Sequence, residues 1–144
     1  MNENETSIVL RPIQKTDQRS IGQLWEPDKH WLGGFGPAWY RFWTTTNPRH
    51  QWWIAENGKQ PIGFIHFHRR RDGIVSVYEI AVAGQARGCG VGRRLMELAG
   101  AKVRLKTDVD NHHSNAFYQR LKFVREGTVR SRNGKRLLNV YAKW

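Results

Sequence analysis

The sequence is short of cysteine, short of acidic residues and without a long apolar run, and each shortage removes a class of protein. One cysteine, Cys89, among 144 residues leaves no internal disulfide framework and no multi-cysteine metal cluster. It points to a reducing, cytoplasmic setting. No apolar stretch approaches the roughly 20 residues of a membrane span, so no membrane partner is expected. The opening MNENETSIVL is polar and acidic, unlike the apolar centre of a secretory signal. Asp and Glu number 12 against 24 Lys and Arg, a formal net charge of +12. A field of that sign attracts acidic macromolecules, nucleic acid or phosphorylated cofactors, and suits polyamines and basic tails poorly.

What is present is a globular composition, with 39% hydrophobic and 25% charged residues. A chain of this length can bury a core unaided, and one domain over residues 1–144 is expected. There is no internal repeat or low-complexity linker. Ile8–Arg11 reads as a strand, followed by a helix capped at Thr16 or Asp17 and presenting Ile21 and Leu24. Trp39, Phe42 and Trp43 have helical spacing after Pro37. Gln51–Ala55, Pro61–His68 and Ile74–Ala83 read as an antiparallel meander, turned at Asn57-Gly58 and at Asp72-Gly73.

The period then changes. Val91, Leu95 and Leu98 recur at helical spacing up to Gly100, and Val103–Val109 reads as a strand. Strand–helix–strand from Ile74 to Val109 is a crossover, which requires one parallel pair in an otherwise antiparallel sheet. A helix over Ser114–Leu121 and closing strands Phe123–Val129 and Leu137–Trp144, turned at Asn133-Gly134, complete an α+β mixed-sheet fold with about four flanking helices.

The stretch Gln85-Ala86-Arg87-Gly88-Cys89-Gly90-Val91-Gly92-Arg93-Arg94 leaves a strand and opens a helix. Glycines let the backbone approach a ligand, helix-opening N–H groups suit phosphate, and the arginines add positive charge. A pyrophosphate site over residues 87–92 is expected, beside the alternative of a tight strand-to-helix turn with no ligand. No Gly-Lys-Ser/Thr follows, which excludes a P-loop. Gly88, Gly90 and Gly92 have GxGxG spacing rather than the dinucleotide GxGxxG.

These residues resemble the acyl-CoA loop of the GNAT superfamily of N-acetyltransferases, of form Q/R-x-x-G-x-G/A, met by Gln85, Gly88 and Gly90. Arg11-Pro12 with Asp17 resembles the family's opening strand and helix cap. Glu79-Ile80-Ala81-Val82 resembles the strand along the pantetheine arm. Asn111, Phe117-Tyr118 and Phe123 resemble the N-x-x-A-x-x-L-Y-x-x-x-G-F segment. Ser114 stands where alanine is usual, Lys122 where glycine is usual, and Gly84 where proline is frequent.

The resemblance implies acetyl-CoA as co-substrate, no metal, and direct transfer of the acetyl group to a primary amine. Arg87, Gly88, Cys89, Gly90, Val91, Gly92 and Arg93 would hold the pyrophosphate, and Ile80, Ala81 and Val82 the pantetheine. Asn111 would touch the cofactor or cap the following helix. Tyr118 would protonate the departing sulfur, beside the alternative of a buried structural tyrosine. Glu79, an acid in an apolar strand, is a candidate base, with pairing to an arginine as the alternative and His66 as a second candidate. His66 and His68 share a strand face with Phe64, but no third metal ligand accompanies them. Cys89 has the setting of an activated thiol, although direct transfer needs no acyl-enzyme.

The acceptor is less defined. Trp31, Trp39, Trp43, Trp52 and Trp53 could stack on a planar substrate or pack a core. His68-Arg69-Arg70-Arg71 with Arg125, Arg130, Arg132, Lys135 and Arg136 forms a basic set. An amine acceptor, on a small molecule or a protein, is expected. The alternative is a nucleic-acid base, as in the phage Mom-type DNA modification proteins.

Overall fold

The computed structural model describes residues 7–32 and 49–144; the helix expected after Pro37, with Trp39 and Trp43, lies outside them. The described chain forms strand β1 (Ile8–Pro12), helices α1 (Gln18–Trp25) and α2 (Lys29–Leu32), and strands β2 (His50–Asn57), β3 (Gln60–Arg69) and β4 (Val75–Val82). Helix α3 (Val91–Glu97), β5 (Val103–Asp108), helix α4 (His112–Arg120), β6 (Val124–Arg130) and β7 (Leu137–Lys143) follow. The strands make one mixed sheet in the order β1-β2-β3-β4-β5-β7-β6. Every neighbouring pair is antiparallel except β4 and β5. The crossover through α3 thus yields the expected parallel pair.

Two apolar cores lie against the sheet. Phe67, Val77, Val91, Leu95, Leu105 and Tyr141 belong to the larger one, with Phe117 and Leu121 of the α4 segment packed against it. Ile21 and Leu24, the apolar positions read for α1, join Trp52, Ile54, Phe64 and Ala81 in the smaller. The first hairpin turns through Gly58 and Lys59, because Asn57 still pairs with Gln60. The turn is one residue later than an Asn-Gly pair would place it, and Gly58 supplies the positive φ of +64°.

Two buried polar sets fix the frame. Asp17 takes two 2.7 Å bonds from the Arg11 guanidinium and one from the Gln14 N–H, while Arg11 Nε reaches Glu56 at 2.7 Å. That arrangement ties β1 to the start of α1 and to β2, and the guanidinium holds the Asp17 carboxyl below its ordinary range. Asn115 on α4 donates to the backbone oxygens of Asp108 (3.0 Å) and Asn111 (2.8 Å). Its Oδ1 accepts from Asn139 (2.9 Å) and from the Tyr141 hydroxyl (2.7 Å). All four hydrogen-bonding positions of this amide are therefore used, and α4 is anchored to the end of β5 and to β7.

Candidate active site

The site begins where the sheet parts. β4 and β5 pair only over Val75–Val77 with Val103–Leu105, although β4 runs on to Val82 and β5 to Asp108. A bulge sits at the parting: Phe67 pairs with Val77 and His66 with Glu79, leaving Tyr78 as the extra residue. Without it Val77 and Ala81, four positions apart, would share a face. With it Val77 packs in the larger core and Ala81 in the smaller, and Glu79 turns with Ala81.

Beyond the bulge one edge of β4 is left open. The Ala83 N–H donates to Ile62 O at 2.8 Å, so by ladder alternation Ile80 and Val82 aim their main-chain groups away from β3. The Arg87 Nε indeed reaches Val82 O from that side, at 3.4 Å.

A cleft of about 450 Å³ follows this open edge. Ile80, Ala81, Val82 and Arg87 line it, as do Gly88, Gly90, Val91, Gly92 and Arg93. Asn111 and Tyr118 line its far wall. The structure thus brings together every cofactor-contact residue read from the sequence except Cys89. The thiol of Cys89 is free and half-buried, and its side chain packs against the larger core rather than lining the cleft.

The glycines divide the work. Gly88 (φ +83°) and Gly90 (φ +79°) hold the left-handed turn that starts α3. Gly92 has another cause: a Cβ there would stand 3.0 Å from the Phe117 ring, so this glycine lets α3 and α4 close on each other. The arginines divide too. Arg87 bridges to Asp28 at 3.3 Å, and Arg93 to Glu97 at 3.3 Å, both exposed. Arg94 is turned away to the backbone oxygen of Ile8 and adds nothing to the loop.

A narrow throat of about 50 Å³ continues the cleft, sharing Ile80, Asn111, Ser114 and Tyr118 with it. Glu79 lines this throat. It is 3% exposed, and its Oε1 has no hydrogen-bond partner among the described residues. Burial pushes its carboxyl up to about 8. Pairing with an arginine, the alternative for Glu79, does not occur among the described residues. Tyr118 is buried between Phe117, Phe123 and Tyr141, and burial raises its hydroxyl further above the ordinary phenol range.

The other candidates divide. His66 is fully buried, stacked on Trp52 with ring centroids 3.9 Å apart and in contact with His50 Nδ1 at 3.0 Å. Burial pulls its imidazole down to about 3, which makes it a weak base. No group of residues suited to a metal occurs among the described residues. Asn111 caps α4, accepting from the Ser114 N–H at 3.3 Å, and also lines the cleft. Trp52 is core, Trp53 is half-buried against it, and Trp31 lines cleft and throat. Arg136 leaves the expected basic set: it donates to the backbone oxygens of His30 and Trp31 and pairs with Asp108 at 3.4 Å. Asn115, which holds α4 and with it Tyr118, carries no sequence signal beyond its place one turn after the Asn111 cap.

The comparisons bear on the family and the fold. The model of the "Acetyltransferase (GNAT) family" matches residues 18–123. No curated protein matches the sequence significantly. Among solved structures, the ribosomal-protein-S18-alanine N-acetyltransferase of Escherichia coli superposes with a TM-score of 0.72 at 17% identity, covering 94% of this chain and 92% of that one. NAA60 of Arabidopsis thaliana, in complex with acetyl-CoA, gives 0.75 at 14% identity, with 94% and 97% covered. The spermidine/spermine N-acetyltransferase SpeG of Vibrio cholerae gives 0.72 at 19%, with 96% and 92% covered. With the family match spanning most of the chain and the fold shared along almost its whole length, this protein belongs to the acetyltransferase (GNAT) family.

Proposed function

We propose that the chain is an acyltransferase that moves an acetyl group directly from acetyl-CoA to a primary amine, using the cleft at the β4–β5 parting. The observation that carries this reading is the coincidence of three features. An open strand edge at Ile80–Val82 leads from the Gly88–Gly90 turn to a throat lined by both Glu79 and Tyr118.

The residues present suit acetyl-CoA. The loop amides of residues 87–92 and the Arg93 guanidinium offer donors to a pyrophosphate. Arg87 joins them once it leaves its long contacts to Asp28 and Val82 O. Main-chain groups of Ile80 and Val82 match the amides of a pantetheine arm laid along β4 as an added strand would be. Acetyl-CoA supplies the activated thioester. A backbone N–H near Ile80 polarises its carbonyl. Glu79 takes a proton from the amine, directly or through a water. Tyr118, protonated at neutral pH as a phenol is, donates to the departing sulfur.

Calorimetry with acetyl-CoA, followed by turnover on a panel of amines, tests the reading. Tyr118→Phe should lower turnover by about a hundredfold while acetyl-CoA binding is nearly unchanged. Equal turnover in the two proteins removes Tyr118 from its role, and absence of binding heat removes the activity.

A further inference from the structure

The throat adjoins a second depression besides the cleft. Val77, Tyr78, Leu105 and Lys106 line both the throat and a third, wider groove of about 680 Å³. That groove runs over the start of β4 and the middle of β5, β7 and β6. Ser76, Arg104, Lys106 and Val140 border it from alternate strand positions to the buried Val77, Leu105 and Tyr141, so it lies on the sheet face away from the larger core. The cleft and the throat thus share lining residues, and so do the throat and the groove.

The groove is cationic. Among the described residues its charged lining is Arg70, Arg104 and Lys106 against one carboxylate, Glu126. Glu126 is already held by Arg104 at 2.9 Å, and Arg70 reaches Asp72 at 2.8 Å; both pairs are well exposed and available for exchange with an incoming anion. Lys106, on β5 beside the parting, stands where throat and groove meet.

Lys106 is a cation at the entrance. It repels an acceptor that brings further positive charge.

Resting on the acetyltransferase reading above, we propose that the acceptor is the terminal amine of a polypeptide with acidic side chains in its first few residues. The amine enters the throat, and the acidic side chains lie against Arg70, Arg104 and Lys106. Free polyamines and amines followed by basic residues are disfavoured by the same charges.

The experiment uses the full chain with acetyl-CoA and two peptides that differ only in carrying Asp or Lys at the second and third positions. Spermidine and a short single-stranded DNA serve as rival acceptors, with products read by mass. The acidic peptide should be favoured in kcat/KM by about tenfold at low ionic strength. The preference should shrink as salt is added. The double variant Arg70→Glu, Lys106→Glu should lose or invert it, through KM rather than kcat, with acetyl-CoA affinity measured by calorimetry unchanged. Equal use of both peptides, a preference for spermidine, an acetylated nucleic acid, or an unaltered preference in the double variant overturns the proposal while leaving the acetyltransferase reading standing. Failure to bind acetyl-CoA would overturn that reading first, and this one with it.

Discussion

Replacing Glu79 by glutamine separates what burial does to stability from what the carboxylate does in catalysis. Glu79 is 3% exposed, and its carboxyl is pushed from an ordinary 4.5 up to about 8 by loss of water. Between those two values the native state keeps a proton that the unfolded chain has released. Stability therefore falls as pH rises through this window, by about 1.4 kcal/mol per unit, and the fall ends near the native value. By pH 7 the accumulated loss is roughly 3 kcal/mol. Glutamine copies the shape of the protonated acid and does not titrate. Urea unfolding of the two proteins should give similar stabilities near pH 4.5, with the variant ahead by roughly 3 kcal/mol at pH 7. Catalysis should move the other way. Wild-type turnover should climb with pH towards a plateau above about 8, as the base becomes free to accept a proton. The variant should lose that limb and most of the rate. A stability difference that stays constant with pH would show that Glu79 is not a buried proton-holding acid. Survival of the pH limb in the glutamine variant would assign the proton to another group.

Two further substitutions test the frame. Arg11→Met leaves the buried Asp17 carboxylate without its guanidinium, and should cost about 2 kcal/mol at neutral pH in denaturant unfolding. Because Asp17 is held below its ordinary 3.8 by Arg11, that contribution is present above this value and fades as pH falls, so the two proteins should converge in acid; a constant gap would refute the pairing argument. Lys122 is the only non-glycine residue at positive φ (71°) among the described residues. It sits just past α4, where the Phe123 N–H bonds Tyr118 O at 3.0 Å and the Lys122 N–H bonds Gln119 O at 3.0 Å, a Schellman ending. Relief of left-handed strain, less the added freedom of the unfolded chain, makes Lys122→Gly stabilising by about 0.5–1 kcal/mol. A lower thermal midpoint for that variant would contradict the assignment.

Local pattern made much of the fold legible. The strand-forming run Pro61–His68, the glycine turn after Ala83 and the helical spacing of Val91 and Leu95 each depend on neighbours in sequence, and all three elements form there. Lys122 stands out only as a departure from the glycine usual in the resembled segment, and its left-handed backbone (φ 71°) comes from the structure. What remained hidden depends on distant pairings. No local signal tells that Tyr78 is a bulge, because the extra residue is defined only against β3. Without the bulge the face of Glu79 cannot be assigned. Arg136 reads as one more exposed cation until α2 is placed beside it. Asn115 reads as a polar helix residue until Asn139 and Tyr141, more than twenty positions away, reach its amide oxygen.

These long-range features share a consequence for how the site works. A parallel pair that stayed zipped from Val75 to Val82 would satisfy the main-chain groups of Ile80 and Val82 and leave no open edge. The Tyr78 bulge coincides with the point where β4 leaves β5, and Asn115 holds the start of α4 to the end of β5. Together they keep the gap at one width, with Glu79 on one strand and Tyr118 on the helix that closes it. Backbone polar groups left open inside a protein are costly unless something pairs with them. The open edge of β4 therefore suits an extended, amide-bearing ligand that can pair with it.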